Sequence, residues 1–281
     1  MADGQRRGDT GTVTLAPTSS PFGSTLRDWR RRRRLSQLDL AIAADVSSRH
    51  VSFLETGRST PSRAMVLRLA DALEVPPRER DELLVAAGLA PAYPQRTLDH
   101  PDLAAVRATV DRVLAAYDPF PCVAVDRHWD IVGANAAVSV LLDGVAPELL
   151  ERPNALRIAL HPRGLAPRIA NLGLWRHHLL GRLRREVAAS GLAQLRALAA
   201  ELESYPGAAA DAPDSSAVAV TLRVATADGE PLTLLSTVTT FGTALDPTVA
   251  ELSMEAFLPA DERTAQALVC RATSQGRRRS G

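Results

Sequence analysis

Between Leu35 and Gly57 the chain reads LSQLDLAIAADVSSRHVSFLETG. Ser48, Arg49 and Ser52 fall at i, i+1 and i+4, on one polar face of a helical period, while Val51 and Leu54 fall three apart on another. An arginine on such a face can meet guanine O6 and N7 with two N–H groups, worth ~1–3 kcal/mol of discrimination between bases. Phosphate contacts from neighbouring side chains fix register without carrying sequence information. This is recognition chemistry rather than bond-making chemistry. The side chains that could serve as nucleophiles or metal ligands are scattered: Cys122, Cys270, His161, His177 and His178. Successive residues on a helix point about 100° apart, so His177 and His178 do not readily share one metal. There is no HExxH, no paired CxxC and no phosphate-cradling glycine loop. Cys122 has no evident activating partner, and both cysteines lie in apolar runs that read as small buried hydrophobes. No catalytic residue, metal site or cofactor is expected.

The elements that position the polar face follow from the pattern around it. With 281 residues, 46% of them hydrophobic, the chain is long enough for two domains with cores of their own. Aromatics are only 4%, so those cores must be mostly Ala, Leu and Val. The net charge of +1 hides an asymmetry: residues 22–96 hold 13 arginines against nine acidic residues, whereas residues 97–281 hold 18 against 21. The first region can be drawn to phosphate and the second has no such bias. No run approaches the ~18 apolar residues of a membrane span, and the N-terminus lacks the apolar segment of a secretory leader. A soluble, cytoplasmic, nucleoid-associated chain with no membrane contact is expected.

Residues 1–21 are polar and aperiodic and read as a disordered lead-in. The first domain, 22–90, reads as five short helices. The first spans 24–34, capped by Ser24 or Thr25 and ending in the run Arg30 to Arg34, of which one or two residues would attract phosphate. Ser36 caps the second, with Asp39 as a weak capping-box partner. Asp45 occupies a turn that calls for positive φ. Ser47 caps the third helix, Glu55 anchors it to the scaffold, and Gly57 ends it. Helices over 62–74 and 77–88 complete the domain. Residues 91–101, with three prolines, form a linker.

The segment LSQLDLAIAADVSSRHVSFLETGRSTPS resembles the lambda-repressor-like helix-turn-helix of the XRE family of regulators. The matching residues are Leu35-Ser36-Gln37, Leu40-Ala41, Val46-Ser47, Val51-Ser52, Leu54-Glu55, Gly57-Arg58 and Pro61, with Asp45 where the family usually has Gly. The resemblance implies double-stranded DNA as partner, a palindromic operator and a homodimer. It places Gln37 near a phosphate, Ser47, Ser48, Arg49 and Phe53 toward the groove, and Thr56 and Arg58 on the backbone. His50 stands either at the DNA backbone or in solvent. Phe53 either reads a thymine methyl or belongs to the core.

The second domain, 102–273, opens with an amphipathic helix over 102–117. Two short strands in PCVAVDRHWDIVGAN follow, then a helix from Asn135, long helices over 168–189 and 192–205, three β-rich runs and a closing helix over 261–271. Residues 274–281 form a basic tail. This order suggests an α+β, PAS-like fold: a five-stranded antiparallel sheet with helices over one face and a ligand cavity between them. The blocks DPFPCVAVDRHWDIVGAN, NALRIALHPRGLAPRIANLGLWRHHLLGRLRREV and STVTTFGTALDPTVAELSMEAFLPADERTAQAL resemble the MmyB-type ligand-binding domain. That resemblance implies a small amphipathic ligand such as a fatty acid. Polar candidates within the blocks are Asn135, Arg157, His161, Asn171, Trp175 and Arg182, with Arg157 and Arg182 favoured for a carboxylate. Two functions remain: a DNA-binding regulator that senses a ligand, or one whose second domain is a ligand-free dimerisation or docking module.

Overall fold

A computed structural model of the chain describes residues 20–93, 96–207, 219–227, 229–242 and 246–279, with side chains up to residue 274. The expected lead-in 1–21 lies outside the described residues except for Ser20 and Pro21. The chain divides into two compact units between Ala92 and Tyr93.

In the first unit, α1 (Pro21–Arg32) starts earlier than expected, because Ser20 rather than Ser24 is its cap and Pro21 occupies the first helical position. Next come α2 (Gln37–Ala43), α3 (Ser48–Glu55), α4 (Arg63–Ala72) and α5 (Pro77–Ala86). Ser20, Ser36, Ser47 and Ser62 each accept the backbone N–H three residues on, a contribution of ~1 kcal/mol apiece. At Ser36 the box is closed, since Asp39 also accepts the Ser36 N–H at 2.8 Å. All five helices end alike. A residue at positive φ (Arg34, Asp45, Gly57, Glu74, Gly88) lets the next N–H reach back to the last turn, as in Val46 to Ala41 and Arg58 to Phe53. The core gathers Phe22, Leu26, Trp29, Leu40, Val51, Leu54, Leu69 and Leu83. Leu38 and Ile42 turn outward, at 58% and 71% exposure.

The expected linker is shorter than its prolines suggest. Arg63 donates to the carbonyls of Ala90 and Pro91, and Ala92 donates to Asp81, so the first unit holds residues 90–92. The second unit holds Arg96, which pairs with Asp246 at 2.9 Å.

That unit begins with α6 (Ala104–Ala116), β1 (Cys122–Val125) and β2 (Ile131–Ala134). Short helices follow: α7 (Ser139–Leu142), α8 (Glu148–Glu151) and α9 (Ala155–Leu160). Then come α10 (Leu172–Ser190), α11 (Ala193–Ser204), β3 (Thr221–Val224), β4 (Leu232–Thr240), α12 (Pro247–Ala250), β5 (Ser253–Pro259) and α13 (Glu262–Arg279). The sheet is antiparallel throughout, in the order β2-β1-β5-β4-β3. Helices cover both faces rather than one. Val123, Val125, Leu222, Val224, Leu232 and Leu234 pack with α9, α10 and α11. On the other side Cys122, Ala124, Met254 and Ala256 pack with Val110 and Leu114 of α6. The cause is local: β1 is CVAV, apolar on both faces, so each face must be covered.

Three further expectations need correction. Residues 168–171 belong to a 3₁₀ turn and its exit, not to α10. The expected tail continues α13 through Arg279. Cys270 is exposed on that helix, whereas Cys122 is buried, its thiol pushed up to about 11 by burial, with Glu255 and Asp118 adding to it.

A Cβ added at Gly23 would lie 2.6 Å from the carbonyl oxygens of Leu54 and Glu55, so α1 crosses α3 where only glycine fits. Gly23→Ala is expected to lower the unfolding free energy of the first unit by about 1–3 kcal/mol in urea titrations, as overpacking does. An unchanged midpoint would contradict this close crossing.

Candidate nucleic-acid interface and ligand cavity

The outer face of α3 is set by a carboxylate beneath it. Glu55, at the end of α3, is fully buried. Arg30 of α1 grips it with a fork, Nε donating to Oε1 at 2.6 Å and Nη2 to Oε2 at 3.1 Å. Gln37 of α2 donates to Oε2 at 2.8 Å, and Arg27 donates to the Glu55 carbonyl at 2.9 Å. One carboxylate thus joins three helices. Burial alone would push its pKa up, but the hydrogen bonds from Arg30 and Gln37 and the nearby charge hold it below the ordinary glutamate range.

With its inner face fixed, α3 presents its outer face to solvent. Ser47, Ser48 and Arg49 are exposed, while His50, Ser52, Phe53 and Thr56 are half-buried. Ser47 is occupied as the helix cap, and the Thr56 hydroxyl donates to the Ser52 carbonyl at 2.7 Å. Phe53 is not among the core residues. Its ring lies on the surface between two cations, with Arg49 at 5.1 Å and Arg58 at 6.0 Å from its centroid. At such sites a cation–π contact contributes about 0.5–1 kcal/mol, enough to bias both side chains toward one patch. Gln37, read from the sequence as a phosphate contact, spends its side-chain amide on Glu55. Of the arginine run, Arg30 serves Glu55 and Arg33 donates to the carbonyls of Leu73 and Glu74 at the end of α4. Arg31 and Arg34 remain exposed.

In the second unit an apolar cavity of about 60 Å³ lies between the sheet and the helices, walled by residues such as Val123, Leu141, Leu156, Ala159, Trp175 and Phe257. Of the six residues singled out in the sequence, only Trp175 lines it. Its indole N–H is buried without a partner, and its ring stacks on His178 at 5.6 Å. Burial, then Arg182, push the His178 imidazole down. Asn135 is a staple, its amide donating to the carbonyls of Leu114 and Phe120 and accepting the Cys122 N–H. It makes no side-chain cap bond to the turn that follows it. Asn171 likewise pairs with the Thr221 carbonyl and the Arg223 N–H of β3. Arg157 forms a fork with Glu201 at 2.8 and 2.9 Å and lines a separate polar cleft. His161 ends α9, its Nδ1 accepting the Arg163 N–H, with its ring edge-on to Tyr205.

Arg182 lies over Trp129 at 4.3 Å and pairs with Glu186 and Glu255. Trp129 and Glu255, which do line the cavity, escaped the sequence reading. Trp129 was the easier to find, as one of three tryptophans in the chain. Glu255 sits in an unremarkable β-rich run.

Comparison with known families matches residues 106–269 to the MmyB-like transcription regulator ligand binding domain, and residues 21–83 to a helix-turn-helix domain. The chain belongs to the MmyB-like transcription regulators. Among curated relatives of this MmyB-like regulator, the HTH-type transcriptional regulator RghRB of Bacillus subtilis is 42% identical over 77 residues, covering 27% of this chain and 53% of that protein. The HTH-type transcriptional regulator Rv0023 of Mycobacterium tuberculosis is 31% identical over 130 residues, 44% of each. The chain thus spans about half the length of the curated relatives it matches. Among solved structures, the restriction-modification controller protein C.AhdI from Aeromonas hydrophila shares 36% identity over 22% of this chain and 92% of its own, with a TM-score of 0.21. No described helix is long and apolar enough to cross a membrane.

Two outcomes follow from the Glu55 junction. Glu55→Ala strands the forked Arg30 and is expected to cost about 3–5 kcal/mol, measured by denaturant titration. Because the folded carboxyl binds its proton less readily than the unfolded one, its stabilisation is complete above the ordinary glutamate range. It is lost as pH falls through the depressed folded value. Glu55→Gln should therefore flatten the acid limb of the stability profile, and an acid limb identical to that of the parent would contradict the assignment.

Proposed function

We propose that this regulator reads double-stranded DNA through α3 as a homodimer, and that its second unit binds a small amphipathic molecule, a fatty acid or a close chemical relative. The observation that carries the DNA reading is the exposed Arg49–Phe53–Arg58 patch, held on a helix whose inner face is fixed by Glu55. A guanidinium free to reach outward suits guanine, and a half-exposed ring beside it suits a thymine methyl. Two such helices in a dimer would read half-sites about 34 Å apart, hence a palindromic operator. Ser48 and Ser52 flank the patch. His50, half-buried, takes no assigned base, and Thr56 and Arg58 fall toward the phosphates.

Ligand binding would shift the population of DNA-competent dimers. One observation favours a second reading, in which this unit only dimerises or docks. A cavity of about 60 Å³ is small beside the ~300 Å³ and more of ordinary ligand sites. Filling it with an acyl chain requires its helical walls to part.

The two readings separate by native mass spectrometry of the purified full chain. A retained lipid mass supports the sensor, and a bare protein that stays bare after incubation with fatty acids favours docking. For DNA, an operator selected from random duplexes should bind two chains. Arg49→Ala should weaken that binding by about 1–3 kcal/mol while leaving binding to unrelated duplex nearly unchanged. Equal losses on both duplexes would remove the base-reading role.

A further inference from the structure

We propose that the polar cleft beside α7 is the head-group site for a single-chain amphiphilic anion, with Arg168 and Arg271 as its cationic anchors; this rests on the sensor reading above. The anchors suggested by sequence are already engaged. Arg157 is forked to Glu201, and Arg182 is shared between Glu186 and Glu255.

Arg168 differs. Among the described residues its guanidinium meets backbone carbonyls and no carboxylate. Nε donates to Ala225 at 3.0 Å, Nη1 to Leu141 and Asp143 at 3.3 and 2.5 Å, and Nη2 to Val140 at 2.9 Å. Arg271 lines the same cleft and donates to the Thr226 hydroxyl at 3.1 Å. Burial pushes the Arg168 pKa down, Asp143 opposes that, and the charge of Arg271 lowers it again, so the two guanidiniums repel across the cleft. An anion between them would relieve that repulsion and form charge-assisted hydrogen bonds to both.

The position of the cleft gives the ligand its shape. The cleft holds about 460 Å³ against about 60 Å³ for the apolar cavity, and Leu142 lines both. The α7 segment is the partition. Val138, Leu141 and Leu142 border the apolar side, and Ser139, Val140, Leu142 and Asp143 border the polar side. A charged head on one side and a hydrocarbon tail on the other match this division. Three of the four carbonyls that hold Arg168 belong to the end of α7 itself. A head group drawing Arg168 toward itself therefore loosens the wall that must move for the tail to enter. Carboxylate and phosphate share the chemistry required.

The purified full chain is titrated with decanoate, decyl phosphate and decanol near neutral pH, followed by tryptophan fluorescence, since Trp129 and Trp175 line the apolar cavity. One or both anions should bind at least about tenfold more tightly than the alcohol. Arg168→Gln and Arg271→Gln should each reduce that preference to about threefold or less. Decanol affinity should stay unchanged in Arg271→Gln and be equal or higher in Arg168→Gln, where α7 loses its clamp. Equal binding of all three probes, or a preference that survives both substitutions, overturns the head-group assignment while leaving the sensor reading intact. Binding of none of them overturns the sensor reading with it. Circular dichroism checks folding; should Arg168→Gln unfold through loss of its hold on α7, Arg271→Gln decides, its bond to the Thr226 hydroxyl lying outside α7.

Discussion

The buried carboxylate of Glu55 fixes the geometry on which the first unit depends. A helix of eight residues has no stability of its own in water. The orientation of α3 must come from what its inner face touches. Val51 and Leu54 supply apolar burial, which is non-directional. Glu55 supplies direction, because a forked arginine from α1 and an amide from α2 meet it at set angles. An ion pair at such depth adds little stability compared with an apolar replacement, yet is costly to break from one side. Its value here is positional. Gly23 serves the same junction from α1 by letting that helix pass against the Leu54 and Glu55 carbonyls.

The second unit uses its charges differently. Arg157, Arg182, Glu186, Glu201 and Glu255 are matched with one another around the helices. Glu255 in the wall of the apolar cavity is thereby compensated, paired with Arg182 and accepting the Ser236 hydroxyl. Arg168, whose bonds go to carbonyls, lies beyond α7. A domain built so separates an apolar cavity from a charged cleft by one short helical segment.

How much of this was legible depended on whether the cause was local. The caps Ser36 and Ser47, the Ser36–Asp39 box, Asp45 at positive φ and the inward pair Val51–Leu54 are matters of a few residues, and the sequence pattern contained them. Glu55 was readable as an anchor, but its partners lie 18 to 28 residues away and were not. Arg34 and Glu74 take left-handed conformations that their residue types do not announce; tertiary packing imposes them. In the second unit the strands and long helices followed from periodicity. The polar candidates largely did not become cavity residues, because asparagine and arginine side chains pair with whatever carbonyl or carboxylate the fold brings near. Glu201 is 44 residues from Arg157, and Thr221 is 50 from Asn171. Arg168 passed unnoticed because nothing in its sequence neighbourhood shows that it meets only carbonyls.

The most direct measurement is methylation interference on the selected operator with the full chain. If α3 enters the major groove with Arg49 on a guanine, methylating that guanine at N7 removes one acceptor of the bidentate contact and blocks binding. Methylation of adenine N3 in the minor groove of the same half-site leaves binding intact. In the Arg49→Ala protein the guanine N7 interference disappears. Interference confined to minor-groove adenines, or N7 interference that persists without Arg49, would contradict the placement of α3.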